Sequence, residues 1–330
     1  MLDWTPEHRA NFTRKNLLFT HDLHGDSQEG GELFGDEALI ALIDRYPRDK
    51  LEVFTMGYDP TTSGQWFFGR RGNLDGRALL DGVKAGRLWL NLRKVNHHDP
   101  LIRALCDKLF ADIRKESGQR TLKEDLGLLI SSPNAHVFYH LDIPLVMLWQ
   151  MRGVKTLYLY PPQTPCLTER DREAVALRES DEQLSYRTEW DDLALRHDLK
   201  PGEMMTWVQT APHRIVNHDM VNVSLSIEFM TPRAVWKANV LYANGCLRRW
   251  FGLDPSLRRS WTLWEPLKVA FARLVKARGG FKGHKSPLKP SFSLDADRPG
   301  RIVFDAGVTP PQPLSDRAAG RQPDVEKARP

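Results

Sequence analysis

The chain has 330 residues, of which 41% are hydrophobic and 27% charged, and a formal net charge of +5. This excludes an intrinsically disordered chain and allows one large or two modest domains with a real core. No run of about 18 apolar residues is present, which excludes a membrane-spanning helix, and three scattered cysteines, Cys106, Cys166 and Cys246, exclude a disulfide framework and point to a reducing cytoplasm.

Met1-Leu2-Asp3-Trp4 lacks the basic-then-apolar pattern of a secretory signal. The stretch 21–31, with His21, His24 and Asp26, reads as a loop and is a candidate lid. Asp36 is placed to cap a helix through Leu39, Ile40, Leu42 and Ile43 that ends before Pro47. Leu51–Met56 and Arg87–Leu92 read as strands, with a turn-bearing segment at Phe67–Gly72 between them. Asp99-Pro100 is an N-cap followed by proline at the first helical position, and it opens an apolar series Leu101, Ile102, Leu105, Leu109, Ile113, with Cys106 on its apolar side.

The pattern His-x-Asp occurs three times, at His24–Asp26, His97–Asp99 and His140–Asp142, and context separates them. Asp99 is committed to its helix and His24–Asp26 lies in the loop. His140 ends a strand-like run, Ala135-His136-Val137-Phe138-Tyr139-His140. Strict alternation puts His136, Phe138, His140 and Asp142 on one face. An apolar run from Pro144 to Gln150 follows, then a turn at Arg152-Gly153, then an alternating strand from Val154 to Tyr160 stopped by Pro161-Pro162. Lys155 stands in that strand among apolar neighbours. A buried ammonium needs an anion, either a protein carboxylate or one carried by a bound molecule. Pro201-Gly202 reads as a tight turn, Pro212-His213 follows, and Asn222, Ser224 and Ser226 share the polar face of a strand over 221–229. Two histidines and a carboxylate on one side of a metal form the facial triad of non-haem iron(II) oxygenases.

Together these residues resemble the Jumonji-C-like cupins, the 2-oxoglutarate-dependent oxygenases that include asparaginyl and lysyl hydroxylases, over roughly residues 128–232. The motifs that carry the resemblance are Trp149-Gln150, Gly153-x-Lys155, Tyr160-Pro161-Pro162, Pro201-Gly202-Glu203 and Pro212-His213-x-x-x-Asn217. The resemblance implies a mainly β fold with α additions, built on a double-stranded β-helix (jelly-roll) core. It implies Fe(II) held by His140, Asp142 and His213, with His218 a rival third ligand. It implies 2-oxoglutarate as co-substrate with its distal carboxylate on Lys155, O2 at a remaining metal position, and hydroxylation with release of succinate and CO2. Asn217 and Ser224 would orient the ligands, and His136 is a further candidate beside the metal. In the asparaginyl-hydroxylase branch a hydroxyl stands three positions before the first histidine, and here that position is Val137; Tyr139, Thr206 or Ser226 must then supply it. The substrate is a protein side chain or a small amino-acid-like metabolite. A metal-dependent cupin that does not use 2-oxoglutarate, and a catalytically silent cupin-fold binding protein, are the alternatives.

By the same reading, 1–127 is an α/β extension packed on the core at 128–234. After Pro232 the pattern turns helical, over Trp236–Trp250 and Pro255–Ala277. Residues 245–285 carry 10 Lys or Arg against Asp254 and Glu265. A basic helical extension at 235–283 suits packing or homodimerisation first, and nucleic acid second. Residues 284–330, rich in Pro, Gly and Arg, read as a largely disordered tail.

Overall fold

The computed structural model describes residues 2–23, 31–59, 62, 64–179, 184–256, 264–281 and 289–312. The loop at 24–30, with His24 and Asp26, and the tail after 312 lie outside the described residues, so the candidate lid is not placed.

Chain order runs α1 (Pro6–Asn11), β1 (Leu17–Thr20), α2 (Gly31–Phe34), α3 (Asp36–Arg45), β2 (Glu52–Met56), β3 (Trp66–Arg70), α4 (Gly76–Ala85), β4 (Trp89–Leu92), α5 (Pro100–Ser117) and β5 (Leu122–Ser131). It continues with β6 (His136–His140), β7 (Leu145–Arg152), β8 (Lys155–Leu159), α6 (Glu169–Ala176), β9 (Leu195–Leu199), β10 (Glu203–Thr206), β11 (His213–Asn217) and β12 (Asn222–Met230). The C-terminal elements are α7 (Pro232–Phe251), α8 (Trp264–Ala277), β13 (Phe292–Leu294) and β14 (Ile302–Phe304).

Strands β5 to β12 form two facing sheets. One has the order β10-β7-β12-β5 and the other β6-β11-β8-β9. The chain alternates between them except at the hairpin β8–β9, and neighbouring strands are antiparallel. That winding is a double-stranded β-helix. The larger sheet continues past β5 into β4, β2, β3, β13 and β14 and is extended on its other edge by β1, to ten strands. The fold is therefore mainly β with α additions, as the sequence led us to expect.

Two apolar cores follow from the period-2 alternation of the strands. Leu126, Leu128 and Ile130 of β5, Met147, Trp149 and Met151 of β7, and Val223, Leu225, Ile227 and Phe229 of β12 point outward into the larger core, where Leu39, Ile43, Phe110 and Ile113 of the N-terminal helices cover them. Val146 and Leu148 of β7, Leu157 and Leu159 of β8, Met205 of β10 and Ile215 of β11 point inward and fill the barrel.

Several local expectations are corrected. Asp36 is the first residue of α3 and not its cap; Gly35 occupies that position and Asp36 instead pairs with Arg152 and Lys84. Phe67–Gly72 is mostly strand β3, because Phe68 and Gly69 complete the ladder with β2. Helix α4 is absent from the sequence reading; Asp75 caps it by accepting from the Ala78 amide. Asp99 does cap α5, accepting from the Leu101 and Ile102 amides. Helix α7 begins at Pro232, capped by Thr231, and α8 begins at Trp264 rather than Pro255. The expectation of a disordered stretch from 284 fails for residues 292–304, because β13 pairs in parallel with β3 and β14 pairs with β13.

Phe292 explains that addition. Its ring is fully buried against the Cα face of Gly69, where a Cβ would lie 2.2 Å from the ring. Removing a buried aromatic ring costs about 3–5 kcal/mol. Phe292→Ala is therefore expected to lower stability by about 3 kcal/mol in urea unfolding; an unchanged midpoint would show that β13 and β14 are not part of the folded unit.

Candidate metal centre in the barrel

The metal-binding groups are assembled by strand pairing at one end of the barrel. His213 at the start of β11 pairs with His140 at the end of β6. Two residues further along β11, Ile215 pairs with Val137, so β6 spends one extra residue over the same span. This bulge changes which β6 side chains face inward. Val137 and His140 both line the barrel cavity with His213 and Asp142.

One ligand atom from each of His140, Asp142 and His213 lies within 4.8 Å of the others. His213 Nε2 stands 3.4 Å from an Asp142 carboxylate oxygen, and the two imidazole centroids are 4.1 Å apart. The Nδ1 atoms are both turned to backbone carbonyls, His140 to Phe138 at 2.8 Å and His213 to Ala211 at 3.1 Å. Those contacts assign the proton to Nδ1 and leave Nε2 with a free lone pair facing the carboxylate. Trp207 lies against His213 with a centroid separation of 4.6 Å. Burial, and then the neighbouring His140, hold the His213 imidazolium well below the ordinary histidine range. The neutral form is the one a metal requires. Tautomer, spacing and charge state all suit a divalent cation held by two imidazoles and one carboxylate, which leaves part of its coordination sphere open.

His136 does not join this group. The bulge puts it opposite Val216, where Arg87 approaches its Nδ1 at 3.0 Å. Burial and the Arg87 charge push it down to about 4. His218 also lies elsewhere, beyond the far end of β11, with Thr156 Oγ1 at 3.0 Å and Asp198 at 3.6 Å.

Lys155 faces the barrel interior at a deeper level. It alternates with the inward residues Leu157 and Leu159, and its backbone pairs with Asn217. The layers along β11 are thus His213 with Leu159, Ile215 with Leu157, and Asn217 with Lys155. Lys155 is 3% exposed, and no carboxylate pairs with it among the described residues. Burial alone pushes its ammonium from the ordinary 10.5 down to about 7.

The remaining candidates divide. Ser224 donates to Gln150 Oε1, and the Gln150 amide donates to the Gly153 carbonyl and Asn222 Oδ1, which closes the deep end of the barrel. Asn217 donates to Ser131 Oγ and the Ser132 carbonyl. Both are structural supports beside Lys155 rather than open ligands. Tyr139 donates to the Cys166 carbonyl in an aromatic cluster outside the barrel cavity. Thr206 donates to the Val146 carbonyl across the β10–β7 pair. Ser226 lines the cavity, about 140 Å³ in volume, together with Gly127, Leu129 and Val137. Sequence reasoning missed Trp207, Gly127 and Leu129. The alternation of β5 carried a signal for the last two, since 127 and 129 are out of phase with the core residues 126, 128 and 130.

No family model and no curated protein matches the chain. Among solved structures it is similar to the X-ray structure of E. coli ycfD, with a TM-score of 0.46 and 16% identity over 83% of this chain and 68% of that one. It is similar at a TM-score of 0.45 and 16% identity, over 83% of this chain and 67% of that one, to the structure of YcfD, a ribosomal oxygenase from Escherichia coli, in complex with cobalt and 2-oxoglutarate. The DMSP lyase DddQ from Ruegeria pomeroyi matches over 32% of this chain and 37% of its own, at 10% identity and a TM-score of 0.21. The fold assignment rests on the strand order.

The buried lysine makes a stability prediction. Between its folded value of about 7 and its unfolded value of 10.5, the unfolded chain keeps a proton that the folded chain has released. Stability therefore rises with pH across that window and is flat below it on this group's account. Lys155→Met removes the penalty and is expected to stabilise the ligand-free protein by about 2–4 kcal/mol at pH 7, and much less at pH 10. Urea unfolding at the two pH values checks this; a destabilised variant at pH 7 would show that a protein anion already compensates the ammonium.

Proposed function

We propose that the protein is an Fe(II)- and 2-oxoglutarate-dependent oxygenase that hydroxylates a protein side chain or a small amino-acid-like metabolite. One observation carries the reading: two histidines and a carboxylate converge at one level of the barrel, and a buried lysine without a carboxylate partner stands two layers deeper on the same interior. A co-substrate with a metal-chelating keto-acid end and a distal carboxylate answers both features at once.

His140, Asp142 and His213 would hold the iron, and Lys155 would hold the distal carboxylate in a charge-assisted pair. Iron(II) with 2-oxoglutarate and O2 supplies an oxidative decarboxylation to succinate and CO2 that puts one oxygen atom into a substrate C–H bond. The chain's own work is placement. The carbonyls of Phe138 and Ala211 hold the two rings through Nδ1, so that Nε2 is the atom turned to the metal position. Val146, Leu148 and Ile215 would give the space between the metal and the lysine an apolar wall. Ser226 would replace the hydroxyl missing at Val137.

A metal cupin chemistry without 2-oxoglutarate is the second reading. It is favoured by Val137 and by a cavity whose lining stops short of Lys155. The three cysteines, all buried free thiols, fit a reducing cytoplasm. A second copy of the chain is the proposed cover for Trp250, Phe251, Trp264 and Leu267, which are at least 49% exposed on α7 and α8; nucleic acid is the lesser candidate partner.

Anaerobic titration of the purified protein with Fe(II) and 2-oxoglutarate tests the function. A visible metal-to-ligand charge-transfer band is expected, absent in Asp142→Ala and shifted to about 100-fold higher 2-oxoglutarate in Lys155→Ala, the cost of losing a buried charge partner. Ser226→Ala is expected to weaken 2-oxoglutarate by about fivefold, the cost of one hydrogen bond. Iron bound without a band would sink the 2-oxoglutarate reading in favour of other cupin chemistry, and no bound metal would favour a silent binding protein.

A further inference from the structure

A second cavity, of about 750 Å³, shares a wall with the metal centre. Ile143, which follows the ligand Asp142, lines it, and so does Val208, which follows Trp207. Gln209 braces that wall by donating to the Ile143 carbonyl at 2.9 Å and to the Ala234 carbonyl in α7 at 3.1 Å. Volume in this range is typical of sites for small organic molecules.

The lining combines two chemistries. Ile143, Val208, Trp236 and Leu241 give an apolar surface, and Arg14, Arg172, Arg233 and Lys237 give four cations. Glu265 is the acid of the lining, and Trp236 Nε1 donates to it at 2.9 Å. The side chains of Arg14, Arg233 and Lys237 make no ion pair or hydrogen bond among the described residues. Arg172 donates one N–H to the Pro162 carbonyl, and its buried Nε–H has no partner. Arg172 is part-buried, Arg14 and Arg233 are exposed, and so is Lys237. Even so, desolvation at the cavity wall, then the Arg233 and Arg172 charges, hold its ammonium below the ordinary lysine value. Four cations against one acid around an apolar hollow leave a positive potential that draws an anion.

We propose that this cavity binds a small organic anion, with a phosphate or carboxylate group on Arg172, Arg233 and Lys237 and an apolar body on Ile143, Val208, Trp236 and Leu241. The site is separate from the proposed 2-oxoglutarate position, and its occupancy is read by binding alone.

The test uses the full-length, iron-loaded protein and the fluorescent organic anion anilinonaphthalene sulfonate, with uncharged phenylnaphthylamine as the matched neutral probe. Saturable one-to-one binding of the sulfonate is expected, with energy transfer from tryptophan that falls in Trp236→Ala. Arg172→Gln and Lys237→Gln should each weaken it about tenfold, the effect of one charge-assisted contact. Lys108→Gln, on the exposed face of α5, should leave it unchanged. Hexyl phosphate and hexanoate are then added as competitors; displacement by one in preference to the other supports the site and identifies its anionic group. Displacement by neither, equal affinity for the neutral probe, or an unchanged titration in Lys237→Gln, which lies at the solvent edge and does not threaten folding, would overturn the proposal.

Discussion

The one-residue bulge between β6 and β11 decides what the barrel can do. A strand side chain changes face at every step, so an unbroken β6 could send Val137 or His140 into the barrel, never both. The register slip between His213 and Ile215 lets both point inward. His140 then meets His213 at the rim while Val137 closes the space over Ile215. The same slip turns His136 out toward Arg87, where burial keeps it neutral and remote from the metal ligands. A bulge leaves backbone groups unpaired and is tolerated where something compensates for the lost ladder. Here the Phe138 carbonyl, set in the bulged stretch, is taken up by His140 Nδ1 and fixes the tautomer a metal needs.

Depth in the barrel then separates two kinds of chemistry. At the rim a carboxylate and two imidazoles gather in a polar cluster that a divalent cation would complete. Two layers down, an ammonium is held among apolar side chains and amide groups, with Gln150, Asn217 and Asn222 using their hydrogen bonds on one another's surroundings rather than on a carboxylate. A ligand-free state that carries such a cation is less stable than the fold could be. On the proposed function, an anion bound at Lys155 would offset that cost.

The legible part of this molecule was the part governed by short-range periodicity. Lys155 could be read as buried because Leu157 and Leu159 share its phase, and Asp99 could be read as a cap because Pro100 follows it. His213 stood out from its rival His218 through the Pro212-to-Asn217 spacing, and the two do sit at opposite ends of β11. What stayed illegible depended on long-range pairing. Nothing local in Ala135–His140 marks where the bulge falls, since it is set by β11, more than 70 residues later. Strands β13 and β14 are three residues each, inside a Pro- and Gly-rich stretch, and form only because Gly69 leaves room for the Phe292 ring. Helix α4, with glycine at both its first position and its interior, has weak propensity and is held by the Asp75 cap and by Leu79, Leu80 and Val83 in the core.

Elsewhere the chain takes care to neutralise its arginines. Glu173, fully buried in α6, accepts from Arg248 at 2.9 Å and Arg249 at 2.6 Å and so fastens α6 to α7. Asp191 gathers Arg214 together with the Tyr160 and Tyr186 hydroxyls, and Asp125 pairs with both Lys94 and His97. Arg87 shows that a missing carboxylate alone is no signal, because the carbonyls of Gly57 and Asn134 take up its terminal N–H groups and the face of Tyr58 covers it, although its Nε–H is left without a partner. Lys155 and the Arg233–Lys237 pair have neither kind of partner among the described residues. The barrel cavity and the hollow beside Arg233 and Lys237 lie on two sides of one wall, the segment through Asp142 and Ile143 and the turn from Trp207 to Thr210. That wall carries the candidate metal ligand Asp142 on one face and borders the cation-rich hollow on the other. Gln209, donating to the Ile143 carbonyl and to the Ala234 carbonyl of α7, fastens that wall to the helix, so the position of Asp142 depends on how α7 packs.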